Sequence, residues 1–227
     1  DGLLVVTCDG QDVDYVAAID TRNGKIAWKT DRTLNLSRKF SFSTPLVISV
    51  DGKKQIVCPG TGLVAAYAPK TGKEIWRVLY GDGYSVIPRP VFGHGLVYVC
   101  SGWGVPTLFA IRPTGSGDVT DTHVAWKQTS KANVPHTPSL LLIKDDLFLI
   151  SDTGIASSLD AKTGKLHYRK RIGGKYSASP TFADGKIYIQ SEAGQGYVLK
   201  PGQEYVELGR NRLEGRTFAS YAVADNA

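Results

Sequence analysis

No methionine occurs anywhere in the sequence, and its three cysteines stand far apart. A chain that opens on Asp1 and carries no methionine is expected to be a processed or cut piece and not an unprocessed translation product, and no signal peptide is visible in it. No run approaches the ~18 apolar residues that a membrane-spanning helix needs, so no span is expected. No long stretch shows helical period, which argues against repeats built of paired helices. The four histidines (His94, His123, His136, His167) are scattered singly, without the spacing of a zinc site. Neither a Gly-x-Ser-x-Gly elbow nor a phosphate-binding Gly-rich loop is present. The net charge of +6 is mild. Its densest cluster (Lys162, Lys165, Arg169, Lys170, Arg171, Lys175) reads as a solvated outer strand, because no stacking aromatics recur beside it. A nucleic-acid partner is not expected.

What the sequence does hold is a repeat. "AIDTRNGKIAW", "AYAPKTGKEIW" and "SLDAKTGKLHY" end on Trp28, Trp76 and Tyr168, and a lengthened copy, "PTGSGDVTDTHVAW", ends on Trp126. These anchors recur every 42 to 50 residues, with a worn fifth copy ending near Glu207. Pro-anchored segments precede the later copies ("STPLV", "PRPVF", "TPSLL", "SPTFADG"), and β-rich runs such as "LVYVCSG" and "IYIQSE" lie between. Each unit therefore reads as four short strands joined by Gly, Asp or Pro turns. A period of ~40–50 residues with four strands per unit is the pattern of a β-propeller blade. The expected units are 1–40, 41–84, 85–134, 135–176 and 177–216 of a single domain, with a partial unit over 217–227 and a bulge at 113–122. The Gly of each "TGK" supplies the positive φ of a tight turn. The aromatic that follows is expected to fill the space between blades, its N–H finding a partner there.

The repeat Ala-x-Asp-x-x-Thr-Gly-Lys-x-x-Trp resembles that of the PQQ-like β-propellers, a superfamily of quinoprotein alcohol dehydrogenases and of the outer-membrane assembly lipoprotein BamB. The resemblance covers essentially the whole chain, with Ala68 replacing the repeat Asp. "PRPVFGHGLVYVCSGWG" and "GDVTDTHVAW" resemble a bacterial, planctomycete-type subfamily that is periplasmic or secreted. The resemblance implies an all-β open arc of about five blades, cut from a seven- or eight-bladed propeller. Its alternative is Velcro closure of five blades, residues 218–224 pairing with 3–8. The same fold carries enzymes and scaffolds alike. The enzymes of the superfamily pair adjacent cysteines and hold PQQ with Ca²⁺; this chain has no adjacent cysteines, so no cofactor and no catalytic residue is expected. PQQ with Ca²⁺ stays as the alternative, its residues lying outside this chain.

Propeller topology places the starts of the innermost strands and the ends of the second strands on one rim. Thr44, Arg89, Thr137 and Ser179 are expected at matched strand starts, and Asp9, Trp103, Asp152 and Glu192 at matched strand ends. Tyr84, His136 and Tyr176 precede inner strands. Arg89, Trp103, His136, Asp152 and Glu192 are thus the candidate ligand rim, suited to a protein, a peptide or an envelope polymer. "DVTDTH" (Asp118, Asp121, His123) reads either as a surface metal site or as a loose insertion tip. Cys8, Cys58 and Cys100 are expected at one register of three successive blades, beyond the ~7 Å reach of a disulfide.

Overall fold

The structure, a computed structural model, describes residues 2–32, 34–131 and 133–224. Five meander sheets follow one another along the chain. The first holds β1 (Leu3–Asp9), β2 (Asp14–Asp20) and β3 (Ile26–Asp31). The second holds β4 (Leu46–Val50), β5 (Lys53–Gly60), β6 (Leu63–Tyr67) and β7 (Glu74–Leu79). In the third, β8 (Val91–Gly93), β9 (Leu96–Cys100) and β10 (Thr107–Ile111) are followed by an insertion carrying β11 (Gly117–Asp118) and the single turn α1 (Thr120–His123). That sheet closes with β12 (Val124–Thr129). The fourth is β13 (Leu141–Ile143), β14 (Asp146–Ile150), β15 (Ile155–Asp160) and β16 (Leu166–Arg171). The fifth is β17 (Thr181–Ala183), β18 (Lys186–Gln190), β19 (Gln195–Lys200) and β20 (Val206–Arg212).

The core lies between the sheets. Four apolar clusters each draw their side chains from two consecutive sheets. Alternation along a strand explains this, since successive residues face opposite sides. On β5, Ile56 and Cys58 face the first sheet while Val57 faces the third. Central strands are therefore covered on both faces, and β6, β9 and β10 are buried along their whole length. They read as continuous apolar runs for that reason.

The repeated aromatic has a repeated geometry. Trp28 lies opposite Ala18, Trp76 opposite Ala66, Trp126 opposite Ala110 and Tyr168 opposite Ser158. One residue before each of them the register slips, a β-bulge that turns the outer strand. The fifth sheet has the same slip, and there the aromatic position is Gly209, opposite Val198. The worn fifth copy thus ends at Gly209, two residues beyond Glu207, because the hairpin there is one residue longer than in the first, second and fourth sheets.

Each aromatic meets the turn of the next blade. The Trp28 indole donates to Pro69 O at 2.8 Å, and its ring lies on Gly72, where a Cβ would come within 2.3 Å of it. Trp126 repeats this on the fourth blade, donating to Ala161 O at 3.1 Å and covering Gly164. So the "TGK" glycine does two things: it takes φ of +68° at Gly72 and +73° at Gly164, and it leaves room for a ring. Tyr168 meets Tyr205 edge-on at 5.9 Å. Where Ala68 replaces the repeat Asp, backbone bonds from Gly72 N to Ala68 O and from Ala68 N to Lys73 O still close the turn.

Trp76 is the exception. Its indole, fully buried, donates to Gln55 Oε1 at 2.8 Å, and Gln55 Nε2 donates to Pro113 O at 3.0 Å. Pro113 holds the position of Pro69 and Ala161, so Gln55 relays the bond that the other tryptophans make directly. The insertion is the cause. It folds back on the second blade, β11 pairing in parallel with β7 and Val119 entering the core. Asp118 accepts from Thr120 N at 3.0 Å and from Thr120 Oγ1 at 2.6 Å, and Thr120 Oγ1 accepts from Leu79 N at 2.9 Å. The segment is an ordered plug, neither a loose tip nor, among the described residues, part of a metal-holding group of acidic, His or Cys side chains.

One further expectation changes. The cysteines do not share a register: Cys8 faces Tyr15, Cys58 faces Ala65 and Cys100 faces Leu108. Counted from the residue opposite each aromatic, these partners stand three, one and two positions away. Cys58 and Cys100 therefore enter different inter-blade cores, and all three thiols are free. The arc is open, as the reading of the repeat anticipated. Among the described residues β1 pairs only with β2, while Ser220 and Tyr221 bond to Ser179 and Thr181 of the fifth blade. The first sheet has three strands, β1 standing where the other sheets have their second strand.

Candidate functional site

The rim is where the inner strands begin and the second strands end. Backbone and hydroxyl groups knit it from blade to blade. Arg89 N donates to Ser139 Oγ, Ser139 N to Ser179 Oγ, and Ser179 N to Ser220 Oγ, all within 2.9–3.0 Å. This chain fixes the matched positions as Arg89, Ser139 and Ser179. Thr137 lies two residues early, because "HTPSL" offers a hydroxyl on both sides of its proline and β13 starts only at Leu141.

At the second-strand ends, register matches Asp9, Thr61, Gly102, Asp152 and Glu192. Trp103 falls one residue beyond. Gly102 has φ of +73°, and a Cβ there would sit 2.6 Å from Tyr84 O. The glycine allows Tyr84 and Trp103 to exchange main-chain bonds at 3.2 and 2.8 Å, so Trp103 is carried outward, 47% exposed.

Trp103 stacks on His136, ring centroids 4.5 Å apart. Asp152 holds that imidazole, its Oδ2 lying 3.3 Å from Nδ1 and accepting the His136 amide at 2.7 Å. Burial pushes the Asp152 carboxyl up, but the bonds from His136 and Thr137 more than offset this and bring it below its ordinary value. Three of the five candidate rim residues thus form one unit across the third and fourth blades. Glu192 belongs elsewhere: it accepts from Ser177 Oγ at 2.8 Å and lies 3.7 Å from Arg216. Arg89 is exposed, and its backbone N–H bonds Ser139, outside this unit. The Tyr176 ring is buried between the fourth and fifth blades, while its backbone N–H donates to Asp152 O at 3.0 Å.

The aromatic surface continues onto the second blade. Tyr84 meets Phe40 edge-on at 5.6 Å, Phe40 lies 6.2 Å from Phe42, and the Arg38 guanidinium sits 4.4 Å over the Tyr84 ring. Phe42 is 63% exposed and Val105 60%. Beside them opens a cleft of about 430 Å³ lined by Arg38, Thr61, Asp82, Tyr84 and Val105. Phe40, Phe42 and Arg38 belong to the segment between the first two blades and were not singled out in the sequence. Their signal was available: "KFSFS" alternates aromatic with small polar residues directly before an inner strand.

A second cluster escaped the sequence altogether. Arg32, following β3, is almost wholly buried, its Nη1 2.8 Å from Asp9 Oδ1 and its Nη2 donating to Cys58 O at 3.2 Å. Its Nε donates to Tyr67 OH at 3.3 Å. Gly60 makes the space, since a Cβ there would lie 2.0 Å from Nη1. Asp14, at the start of β2, adjoins this pair. Burial first, then the hydrogen bond and charge of Asp9, raise its carboxyl to about 6 against the pull of Arg32 and Lys39.

The model of the family described as outer membrane protein assembly factor BamB matches residues 1–153 and 115–203. No curated protein matches the sequence significantly. Among solved structures the chain is similar to BamB from Moraxella catarrhalis, with a TM-score of 0.70 at 14% identity over 98% of this chain and 65% of that one. It is also similar to a quinohemoprotein alcohol dehydrogenase from Comamonas testosteroni, with a TM-score of 0.65 at 14% identity over 93% of this chain and 42% of that one. A europium-containing methanol dehydrogenase gives a TM-score of 0.68 at 12% identity over 93% and 49%. The likenesses show the fold, and the chain spans between two fifths and two thirds of the length of these proteins.

Proposed function

The chain belongs to the BamB family of PQQ-like repeat proteins, and from that premise we propose that it is a non-catalytic scaffold docking a protein or peptide partner through its aromatic rim. The observation that carries this reading is two aromatic groups, Phe42–Phe40–Tyr84 and Trp103–His136, joined by the main-chain bridge between Tyr84 and Trp103 and exposed at Phe42 and Trp103. Exposed aromatics held rigid by their neighbours are what protein interfaces use as anchors. The cell envelope is its proposed location. No helix among the described residues is long and apolar enough to cross a membrane.

The dehydrogenase reading is favoured by two of the structural likenesses but not by the side chains. Asp152 is bonded to His136, and Glu192 to Ser177 and Arg216. No vicinal cysteines exist to flank a quinone. That donor set does not fit PQQ with Ca²⁺.

The test compares envelope proteins crosslinked to the wild type, to Trp103→Ala and to Lys165→Ala on the opposite face. Loss of the same crosslinked species from Trp103→Ala alone is the expected outcome. Identical capture by all three sinks the rim reading. Saturable quenching of tryptophan fluorescence by PQQ with Ca²⁺ would instead favour the dehydrogenase.

A further inference from the structure

We infer that Asp9, Asp14 and Arg32 form a proton-operated latch that fixes the strap of residues 36–42, and with it the aromatic half of the rim, to the first two blades. The inference does not depend on what the rim binds.

Three carriers of charge meet at this point and cannot all be satisfied at once. One oxygen of Asp9 is on Arg32 at 2.8 Å. The other, Oδ2, is buried and finds no donor among the described residues. Arg32 is already committed to Asp9, Tyr67 and Cys58 O, and the absence of a side chain at Gly60 leaves it a socket with no slack. A proton on Asp14 resolves the conflict, because a neutral carboxyl donates to Asp9 Oδ2. When that proton leaves, two carboxylates share one guanidinium, and Lys39 is a further cation acting on Asp14. Asp12, Asp31 and Lys29 line the same cleft.

The strap is tied to this cluster from several sides. Gln11, in the hairpin between Asp9 and Asp14, donates to Ser37 O at 3.0 Å. The Ser41 hydroxyl is within reach of Asp9 and donates to Val86 O at 3.1 Å. Thr61, the rim neighbour of Gly60, donates to Phe40 O at 2.8 Å. The strap then pairs with the third blade through Phe42 N to Val86 O at 2.8 Å. Movement of the hairpin is thereby transmitted to Phe40, Phe42 and Arg38.

The sign follows from linkage. Asp14 is raised from 3.8 to about 6 in the folded chain, so the folded state holds the proton more tightly than the unfolded one. The stabilisation is complete below the ordinary carboxyl value and is lost as pH rises through about 6. The latch is closed when protonated and slack above that.

Carbon-detected NMR of the carboxyls of the intact wild-type chain, from pH 3 to 8, tests this directly. The expected Asp14 midpoint is near 6, a proton affinity on the order of a hundred-fold above an ordinary aspartate. The amides of Ser37 to Phe42 and the Gln11 side chain should move with the same midpoint. In Asp14→Asn, which keeps a donor toward Asp9, those strap signals should lose their pH dependence. An Asp14 midpoint near 4 overturns the shared proton, and strap amides that ignore the Asp14 midpoint overturn the latch. Both readings come from the wild type, so they stand even where the variant fails to fold.

Discussion

Substituting Gly72 with alanine separates the two demands placed on the "TGK" glycine. Gly24 and Gly72 have φ of +70° and +68°, but only Gly72 lies under an indole. A Cβ at Gly24 meets nothing within 4 Å, whereas at Gly72 it would stand 2.3 Å from Trp28 Cε3 and 2.6 Å from Cδ2. Gly24→Ala therefore reports backbone strain alone, about 1–2 kcal/mol. Gly72→Ala adds overpacking of about 1–3 kcal/mol. As the ring lifts, the bond from Trp28 Nε1 to Pro69 O is lost as well, about 1 kcal/mol. The expected totals are about 3–6 kcal/mol for Gly72→Ala against about 1–2 for Gly24→Ala. For a chain of this size that separates their thermal midpoints by several degrees, at about 2–4 °C per kcal/mol. A double-mutant cycle closes the reasoning: in Trp28→Ala the ring is gone, and Gly72→Ala should then lose most of its excess over Gly24→Ala, the remainder coming from Thr30 Oγ1, 2.8 Å from the added Cβ. Equal midpoints for the two single glycine variants would refute the socket.

Trp76→Ala should cost about 3–5 kcal/mol, because its ring is fully buried and the cavity cannot collapse between two sheets; an unchanged denaturation midpoint would mean the ring is dispensable. Thiol titration in denaturant should find all three cysteines reactive, and a count of one would contradict the free thiols. In the native state at pH 8, half-buried Cys8 should react first. Burial pushes the Cys58 thiol up to about 12 and raises Cys100 as well, so both should stay protected.

Much of the fold was legible because the repeat records backbone and packing requirements together. The spacing of "TGK" from its aromatic marks a turn and an outer strand, and the structure adds that ring and glycine belong to consecutive blades. What escaped is what bulges and insertions change. The fifth hairpin is one residue longer than the first, second and fourth, a shift that a Trp at its end would make visible and Gly209 does not. Gln55 gave no sign of its part, since a glutamine in a β-rich run looks solvent-facing until the Trp76 indole and Pro113 O of the next blade meet on either side of it. Of the candidate site, Trp103, His136 and Asp152 were named on separate grounds and come together. Arg32 could not be found that way. Its burial depends on Gly60 and Asp9, brought together only when two blades pack.

The two faces of the arc are under different physical constraints. On the "TGK" face the turns at Gly72 and Gly164 receive the preceding blade's ring, so they need a positive-φ glycine and a free carbonyl, and they have little freedom to differ. On the opposite rim five equivalent positions are filled by Asp9, Thr61, Gly102, Asp152 and Glu192, and each serves another purpose. Asp9 neutralises a buried Arg32, and Thr61 ties the strap at Phe40. Gly102 lets Trp103 turn outward, Asp152 holds the His136 ring beneath it, and Glu192 binds Ser177. Four of these five choices are polar side chains oriented by specific partners, and the fifth is a glycine with no space for a Cβ. Sheet pairing requires none of them, since the strands end there. Residues that a repeat does not need for folding are free to be chosen for recognition, which is why the rim, and not the conserved-looking turns within this chain, is the surface to probe for a partner.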